Sequence, residues 1–354
     1  MTEKSINEKI AWLLSLNKQH SNEFIRTRLA RQLYRERFKT EVIAFKCSDG
    51  RVFVSLATGM PLGIVRPYRN VSGHFDLGWP LLGKKLRDRI DHGISNGRKS
   101  LILITYHYSK SDKNLGCAGF ECDHEAAFVF SLKFHKQVNR FFGQNNQVVF
   151  PVVIGFETDT QSLIFHPQNP SGKDAVECSD SLSEDKEKLL EIIHGLYPDM
   201  DKEVKKDLMR LMEGNIAHLR GIKAKGKRSF KTYHKEWVVG IGEGFTWMNE
   251  QNTALIIGPY DPDLSKPIVK AIDIIKKNML AGQINDDSFL VLSSAQFKEE
   301  GVDKNRACEE ANFLCSYTKE IIKNNYPYLI DKARFLTVII DERTRLLEQI
   351  SGFD

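Results

Sequence analysis

Short apolar runs separated by long connections constrain this 354-residue chain more than any other feature. The first run covers residues 41–47, the second residues 100–106 and the third residues 147–157. Each has the length and the branched residues of a buried strand, and the connections are long enough to hold crossover helices. The pattern predicts an α/β fold in which a sheet is flanked by helices.

Chemically active side chains follow the first two runs. Cys47, Asp49 and Arg51 stand at alternate positions, and alternation in extended backbone places such side chains on one side. His107 ends the second run, and Cys117 follows after a loop. Open α/β sheets bind ligands outside the carboxyl ends of their strands. Two thiolates and one imidazole are the ligands of a catalytic zinc site with an open fourth position, so we expect Cys47, His107 and Cys117 to bind a metal.

These residues resemble the pattern of the β-type carbonic anhydrases, in which Cys-x-Asp-x-Arg is followed by a strand that ends in His and then by Cys. His107 and Cys117 stand ten residues apart, which is wider than the usual His-x-x-Cys. The wider gap is similar to the carboxysomal shell and cadmium-type (zeta) branches. Residues 69–79 and 150–159 also resemble stretches of the shell enzyme. The resemblance covers residues 40–170 well and the remainder weakly.

The resemblance implies a β-carbonic-anhydrase-like fold and the reversible hydration of CO₂ to bicarbonate by a metal-bound hydroxide. Asp49 would accept the hydrogen bond of the hydroxide, and Arg51 would hold Asp49 ionised and directed away from the metal. One Zn²⁺ per chain is expected, although a Cys₂His set would also accept Cd²⁺. Two alternatives stay open: a hydrolase of carbonyl sulfide or carbon disulfide on the same site, and a non-catalytic binding protein that retains zinc.

The last third of the chain repeats the apolar pattern of the first. Residues 235–242 align with the first run, residues 288–295 align with the second, and residues 333–340 supply a third strand. In this alignment the chemical groups are lost, because the positions of Cys47, Asp49 and His107 are taken by Gly242, Gly244 and Ala295. The shell-type enzyme is likewise a fused pair with one inactive half, so we interpret the last third as a degenerate duplication.

Four segments are therefore expected. They are an N-terminal helical arm (residues 1–40), a catalytic domain (41–170), a linker with a helical segment (171–235) and a degenerate repeat without metal ligands (236–354). Two helices are predicted within residues 5–38. These helices could pack on a neighbouring subunit, which would give a homodimer, or they could cover the chain's own sheet.

Other segments carry weaker signals. Residues 51–80 are rich in Gly and Pro and predict an ordered wall of the active site. Residues 186–222 have a helical pattern with predicted interruptions at Gly195 and Pro198 and again near Gly214. The basic loop at residues 223–229 is interpreted as solvated, and residues 167–185 are the best linker.

Further side chains could take part in the chemistry. Cys122 and His124 could offer rival metal ligands, although Cys122 has no counterpart in the resembled pattern. His74 could transfer protons from the site or simply lie on the surface. Cys178, Cys308 and Cys315 are interpreted as ordinary thiols.

Composition limits the partners and the compartment that this chain is expected to have. The formal net charge of +5 is small for this length, and the basic clusters have helical spacing, so no nucleic-acid partner is expected. No apolar run is long enough to span a membrane, and no signal peptide is expected. Six scattered cysteines favour a reducing compartment, so we expect a cytoplasmic enzyme with a small-molecule substrate, CO₂ or bicarbonate.

Overall fold

A computed structural model describes residues 5–142, 147–170, 174–226, 234–284 and 288–350. The helices in this part of the chain are α1 (Ile6–Arg26), α2 (Arg28–Arg37), α3 (Val54–Ala57), α4 (Pro80–Ser95), α5 (His124–Phe142), α6 (Lys186–Leu196), α7 (Lys202–Ala224), α8 (Ser265–Leu280) and α9 (Val302–Asn325). The strands are β1 (Thr40–Cys47), β2 (Val65–Asn70), β3 (Lys99–Tyr108), β4 (Val149–Glu157), β5 (Ser162–Phe165), β6 (Val176–Glu177), β7 (Val238–Gly242), β8 (Ala254–Ile257), β9 (Phe289–Phe297), β10 (Ala333–Asp341) and β11 (Leu347–Gln349). The predicted α/β class is therefore confirmed. Residues 171–173 of the predicted linker and 227–229 of the predicted basic loop lie outside the described residues.

Two compact units divide the chain. The first unit contains residues 29–47 and 51–232, and the second contains residues 1–28, 48–50 and 233–354. Each unit is built on a sheet of its own.

The sheet of the first unit has the strand order β2-β1-β3-β4-β5-β6. Strands β1 to β4 run parallel, and β5 and β6 join antiparallel to β4 and β5. Almost every residue of β1 and β3 is buried, as expected for parallel strands covered on both faces. The apolar side chains of α6 and α7 form one hydrophobic cluster with this sheet. The carboxyl ends of β1 and β3 lie side by side at one edge.

The sheet of the second unit repeats this arrangement. Its strand order in the described residues is β8-β7-β9-β10-β11, which matches β2-β1-β3-β4-β5 strand for strand. The directions match too, because β8, β7, β9 and β10 are parallel and β11 is antiparallel. Gly242 is the last residue of β7, as Cys47 is the last residue of β1.

The N-terminal helices are confirmed, and α1 covers a sheet of its own chain. Asn17 Nδ2 donates a 3.0 Å hydrogen bond to the carbonyl of Arg345, and Asn17 Oδ1 accepts one of 3.0 Å from the amide of Leu347. Ser21 Oγ donates to the carbonyl of Thr344 at 2.8 Å. These bonds fix α1 on the turn between β10 and β11 within the second unit.

One predicted helix break is wrong. Helix α7 continues through Gly214, although the break between α6 and α7 lies where Pro198 predicts it. A side chain at position 214 would overlap the carbonyl oxygen of Thr58 and lie 2.8 Å from its carbon. Glycine at this position thus permits close helix packing and does not end the helix.

No helix among the described residues is both long and apolar enough to cross a bilayer.

Candidate metal centre

Two neighbouring strands and one turn deliver the three predicted ligands. Cys47 is the last residue of β1, and His107 lies one residue before the end of β3, which pairs in parallel with β1. Cys117 comes from the connection after β3 and directly precedes a short 3-10 helix, Ala118–Phe120. The structure brings all three side chains together, as the sequence predicts.

The distances fit a metal held by two thiolates and an imidazole. The ligand atoms of Cys47, His107 and Cys117 all lie within 4.8 Å of one another, and the two sulfurs are 3.9 Å apart. Two sulfurs on a tetrahedral zinc ion would be about 3.8 Å apart, whereas a disulfide would bring them to about 2.05 Å. The residues are buried, with exposed fractions of 6%, 1% and 2%. The donor set and its spacing therefore suit Zn²⁺ or a similar soft divalent ion.

Arg51 holds the turn that carries Cys117. Its side chain is 1% exposed, and its guanidinium donates hydrogen bonds to the carbonyls of Leu115 (2.8 Å) and Gly116 (3.3 Å). Hydrogen bonds from a charged donor are stronger than those from a neutral one. Arg51 thus fixes the backbone just before the third ligand, a contact that the sequence pattern alone does not reveal.

A second backbone contact closes the wall beside the site. Ser72 belongs to the short helix Val71–Gly73, and its φ is +63°, a left-handed value that is unusual for a residue other than glycine. A side chain at Gly119 would overlap Ser72 Oγ and Cβ and lie 2.9 Å from Ser72 Cα. A side chain at Gly73 would lie 3.5 Å from the backbone nitrogen of Cys47. The Gly- and Pro-rich stretch therefore packs against the segments that carry two of the ligands, as an ordered wall should.

Positive charge lies close to the first ligand. Arg69 of β2 pairs in register with Lys46 of β1, and its guanidinium packs 5.2 Å from the centre of the Phe53 ring. Burial lowers the pKa of Arg69 to about 10, and the adjacent Cys47 partly opposes that shift. A cation therefore lies within electrostatic range of the first ligand.

Asp49 lies in the second unit, where it meets two residues that the sequence analysis missed. Its carboxylate lies within 4.8 Å of the ligand atoms of His234 and Glu236. His234 Nδ1 and Glu236 Oε2 are 3.2 Å apart, and Asn278 Nδ2 donates to the same oxygen at 3.4 Å. Asp49 and Glu236 are 3% and 0% exposed. The sequence does contain a signal for this pair. His234 and Glu236 stand at alternate positions just before an apolar strand.

Comparison with known proteins adds no assignment. No protein-family model matches the chain, and no curated protein matches it either. The interpretation of this centre therefore rests on its residues and their geometry.

The other candidate side chains do not join the three ligands in one metal-binding group of the described residues. Cys122 is half-exposed and donates from Sγ to the carbonyl of Asn114 at 3.2 Å, and neither it nor His124 belongs to a metal-binding group in the described residues. His74 is exposed, with its ring 4.7 Å from that of Phe120 and 4.3 Å from that of Phe130. The remaining thiols are Cys178, which is buried, and Cys308 and Cys315, which are half-buried.

The corresponding strand end in the second unit leaves no room for side chains at positions 242 and 244. A side chain at Gly242 would overlap the carbonyl oxygen of Ser294 and lie 3.1 Å from Leu314 Cδ1. A side chain at Gly244 would lie 2.8 Å from Ile340 Cδ1. Backbone and side-chain atoms thus occupy the positions at which a cysteine at 242 or an aspartate at 244 would have to extend.

Proposed function

We propose that this chain is a zinc enzyme that catalyses the reversible hydration of CO₂ to bicarbonate at Cys47, His107 and Cys117. One observation carries the proposal: three buried donors of the Cys₂His type lie within 4.8 Å of one another at the carboxyl edge of a parallel sheet. This is a ligand set that catalytic zinc uses with its fourth position open. The resemblance to the β-type carbonic anhydrases supports the choice of CO₂.

The residues around the ligands support catalysis over a purely structural site. When bound, zinc would supply Lewis-acid chemistry that makes water a nucleophile near neutral pH. We assign to Asp49 the acceptance of a hydrogen bond from the attacking water, which would orient its lone pair towards CO₂. We assign to Arg51 the fixing of the turn before Cys117, in addition to the role that the resemblance implies. A structural zinc site would not require a hydrogen-bond acceptor for water such as Asp49.

The repeated sheet supports the interpretation of a fused pair with one inactive half. The strand order and directions of β8-β7-β9-β10-β11 equal those of β2-β1-β3-β4-β5. The aligned strand ends carry Gly242 in place of Cys47 and Ala295 in place of His107. One active site per chain follows from this interpretation.

A stopped-flow assay of CO₂ hydration on the zinc-loaded chain tests the proposal. We expect hydration above the buffer rate, and we expect Asp49→Asn to keep its zinc while losing about 10–100-fold of the turnover. Carbonyl sulfide and carbon disulfide are assayed in parallel. Zinc-loaded protein that consumes either of these but leaves CO₂ unchanged would replace the proposed reaction by the related hydrolysis, and full activity of Asp49→Asn would refute the assigned role.

A further inference from the structure

A groove of the first unit has the dimensions of a ligand site. It lies between α2, the loop after α3, α6 and α7, and its volume is about 750 Å³. Pockets that bind small organic molecules measure about 300–1,000 Å³. None of the predicted metal ligands lines this groove.

The lining of the groove is apolar over a large part of its surface. Leu33 of α2 and Leu190 of α6 both line it, and their exposed fractions are 57% and 42%. The rings of Tyr34 and Phe38 pack 4.5 Å apart along the same wall. Apolar side chains exposed in a concave site gain free energy when an apolar group covers them.

Cations dominate the polar part of the lining. Glu203 and Glu213 are its acidic residues, while six basic residues line the same groove: Arg37, Lys186, Lys202, Lys205, Lys206 and Arg210. The whole chain, by comparison, holds 51 basic and 46 acidic residues.

Four of these cations lack a counter-charge. Lys205 donates to the carbonyl of Pro198, and Lys206 lies 3.7 Å from Glu203. Within the described part of the chain, the other four make no hydrogen bond and no ion pair: Arg37, Lys186, Lys202 and Arg210. Like charges lining one concave surface add to a positive potential that attracts anions.

We propose that this groove binds a small organic anion, with phosphate or carboxylate groups on an apolar body. The apolar body would cover Leu33 and Leu190, and the charged groups would accept hydrogen bonds from the unpaired lysines and arginines. A bare inorganic anion would leave the apolar lining exposed, and a neutral apolar molecule would leave four of the cations without a counter-charge. The charge and the apolar surface together thus define the ligand class.

Binding of 8-anilinonaphthalene-1-sulfonate, an anion with an apolar body, tests the proposal on the full chain. We expect one saturable fluorescent site, with affinity about tenfold or more weaker in the double variant Lys186→Glu/Lys202→Glu. Each lysine is the first residue of its helix, where a carboxylate is favourable, so the variant should fold normally. The matched control is Lys133→Glu/Lys136→Glu, which makes the same charge change on exposed positions of α5 and should leave binding unchanged.

A second variant, Leu33→Gln, should lower the affinity for the fluorophore without changing the charge of the groove. Displacement of the bound fluorophore identifies the kind of anion. Displacement by decanoate would indicate an acyl-chain ligand, and displacement by ATP would indicate a nucleotide. Inorganic phosphate should displace neither the fluorophore nor the anion that competes with it. Equal binding by the groove variant and its control would overturn the proposal. Equally tight binding of the neutral N-phenyl-1-naphthylamine, or binding of an acidic amphipathic peptide but of none of these small anions, would overturn it too.

Discussion

Replacing Gly119 by alanine tests how tightly the wall of the metal centre is packed. The added Cβ would overlap Ser72 Oγ and Cβ and lie 2.9 Å from Ser72 Cα, while carbon atoms in contact stand about 3.5–4.0 Å apart. The hydroxyl can rotate away, but Ser72 Cβ cannot, and from 2.2 Å the two backbone segments must separate by about 1.3–1.8 Å. Overpacking of this kind costs about 1–3 kcal/mol. Because Cys117 lies two residues before Gly119, we also expect zinc affinity to fall by about 10–100-fold.

Urea unfolding of the zinc-free protein measures the first effect, and competition with a chromophoric chelator measures the second. Gly195→Ala is the matched control, because a side chain at that position of α6 meets no atom within 4 Å. It should stabilise the helix by about 0.5–1 kcal/mol and leave zinc binding unchanged.

Ser72→Gly should rescue part of the loss. Glycine removes the overlapping atoms and accepts the φ of +63° without strain, so the double variant should recover about 1–2 kcal/mol relative to the sum of the single variants. Wild-type stability and wild-type zinc affinity in Gly119→Ala would refute this account of the wall.

Three further predictions concern the ligands, the turn and the pH dependence. Cys47→Ser should lower the zinc content from about one ion per chain to near zero by elemental analysis, whereas Cys308→Ser should not change it; two ions per wild-type chain would contradict the single site. Arg51→Met should lower the free energy of unfolding, measured in urea, by about 2–4 kcal/mol, because two hydrogen bonds from a charged donor are lost. An unchanged unfolding midpoint would show that the turn before Cys117 is stable without Arg51. Burial lowers the pKa of His166 from 6.5 to about 4. Between these pH values the unfolded chain binds a proton that the folded chain does not. The free energy of unfolding should therefore fall by up to about 3 kcal/mol as the pH drops from 6.5 to 4. His166→Phe should remove that part of the slope in urea titrations at several pH values, and an unaltered slope would assign it to other groups.

The sequence predicts those parts of the molecule whose signal is local. The middle of β1 (residues 42–45) and of β3 (residues 101–104) is a continuous apolar run, so the sequence itself predicts burial on both faces. Cys47 and His107 follow from the same reasoning, since parallel strands that end together bring their last side chains together, whereas Cys117 lies in the connection after β3 and was expected from the resembled pattern.

Elements with a mixed or short signal were not predicted. Strand β2 contains Pro67 and two arginines, which an edge strand tolerates because its outer side needs no ladder partner. Strand β8 has four residues, too few for a period to be read. Helix α8 carries apolar residues at helical spacing and begins with a proline in its first turn, so its signal was present in the sequence.

Long-range contacts between polar groups could not be predicted either. The contact of Asp49 with His234 and Glu236 depends on which segments pack together, and no local pattern encodes that choice. The same holds for Gly214, which permits a close contact with Thr58. In the sequence alone, a glycine needed for close packing cannot be distinguished from one that ends a helix.

X-ray absorption at the zinc K-edge tests whether Cys47, His107 and Cys117 form an open zinc centre, because it counts the ligands by element. We expect two sulfur scatterers at about 2.3 Å and two nitrogen or oxygen scatterers at about 2.0–2.1 Å, with one sulfur lost in Cys117→Ser. Three or four sulfur scatterers would mean that a further thiol such as Cys122 closes the site, and a spectrum without sulfur would place the zinc elsewhere; either result would contradict an open Cys₂His centre.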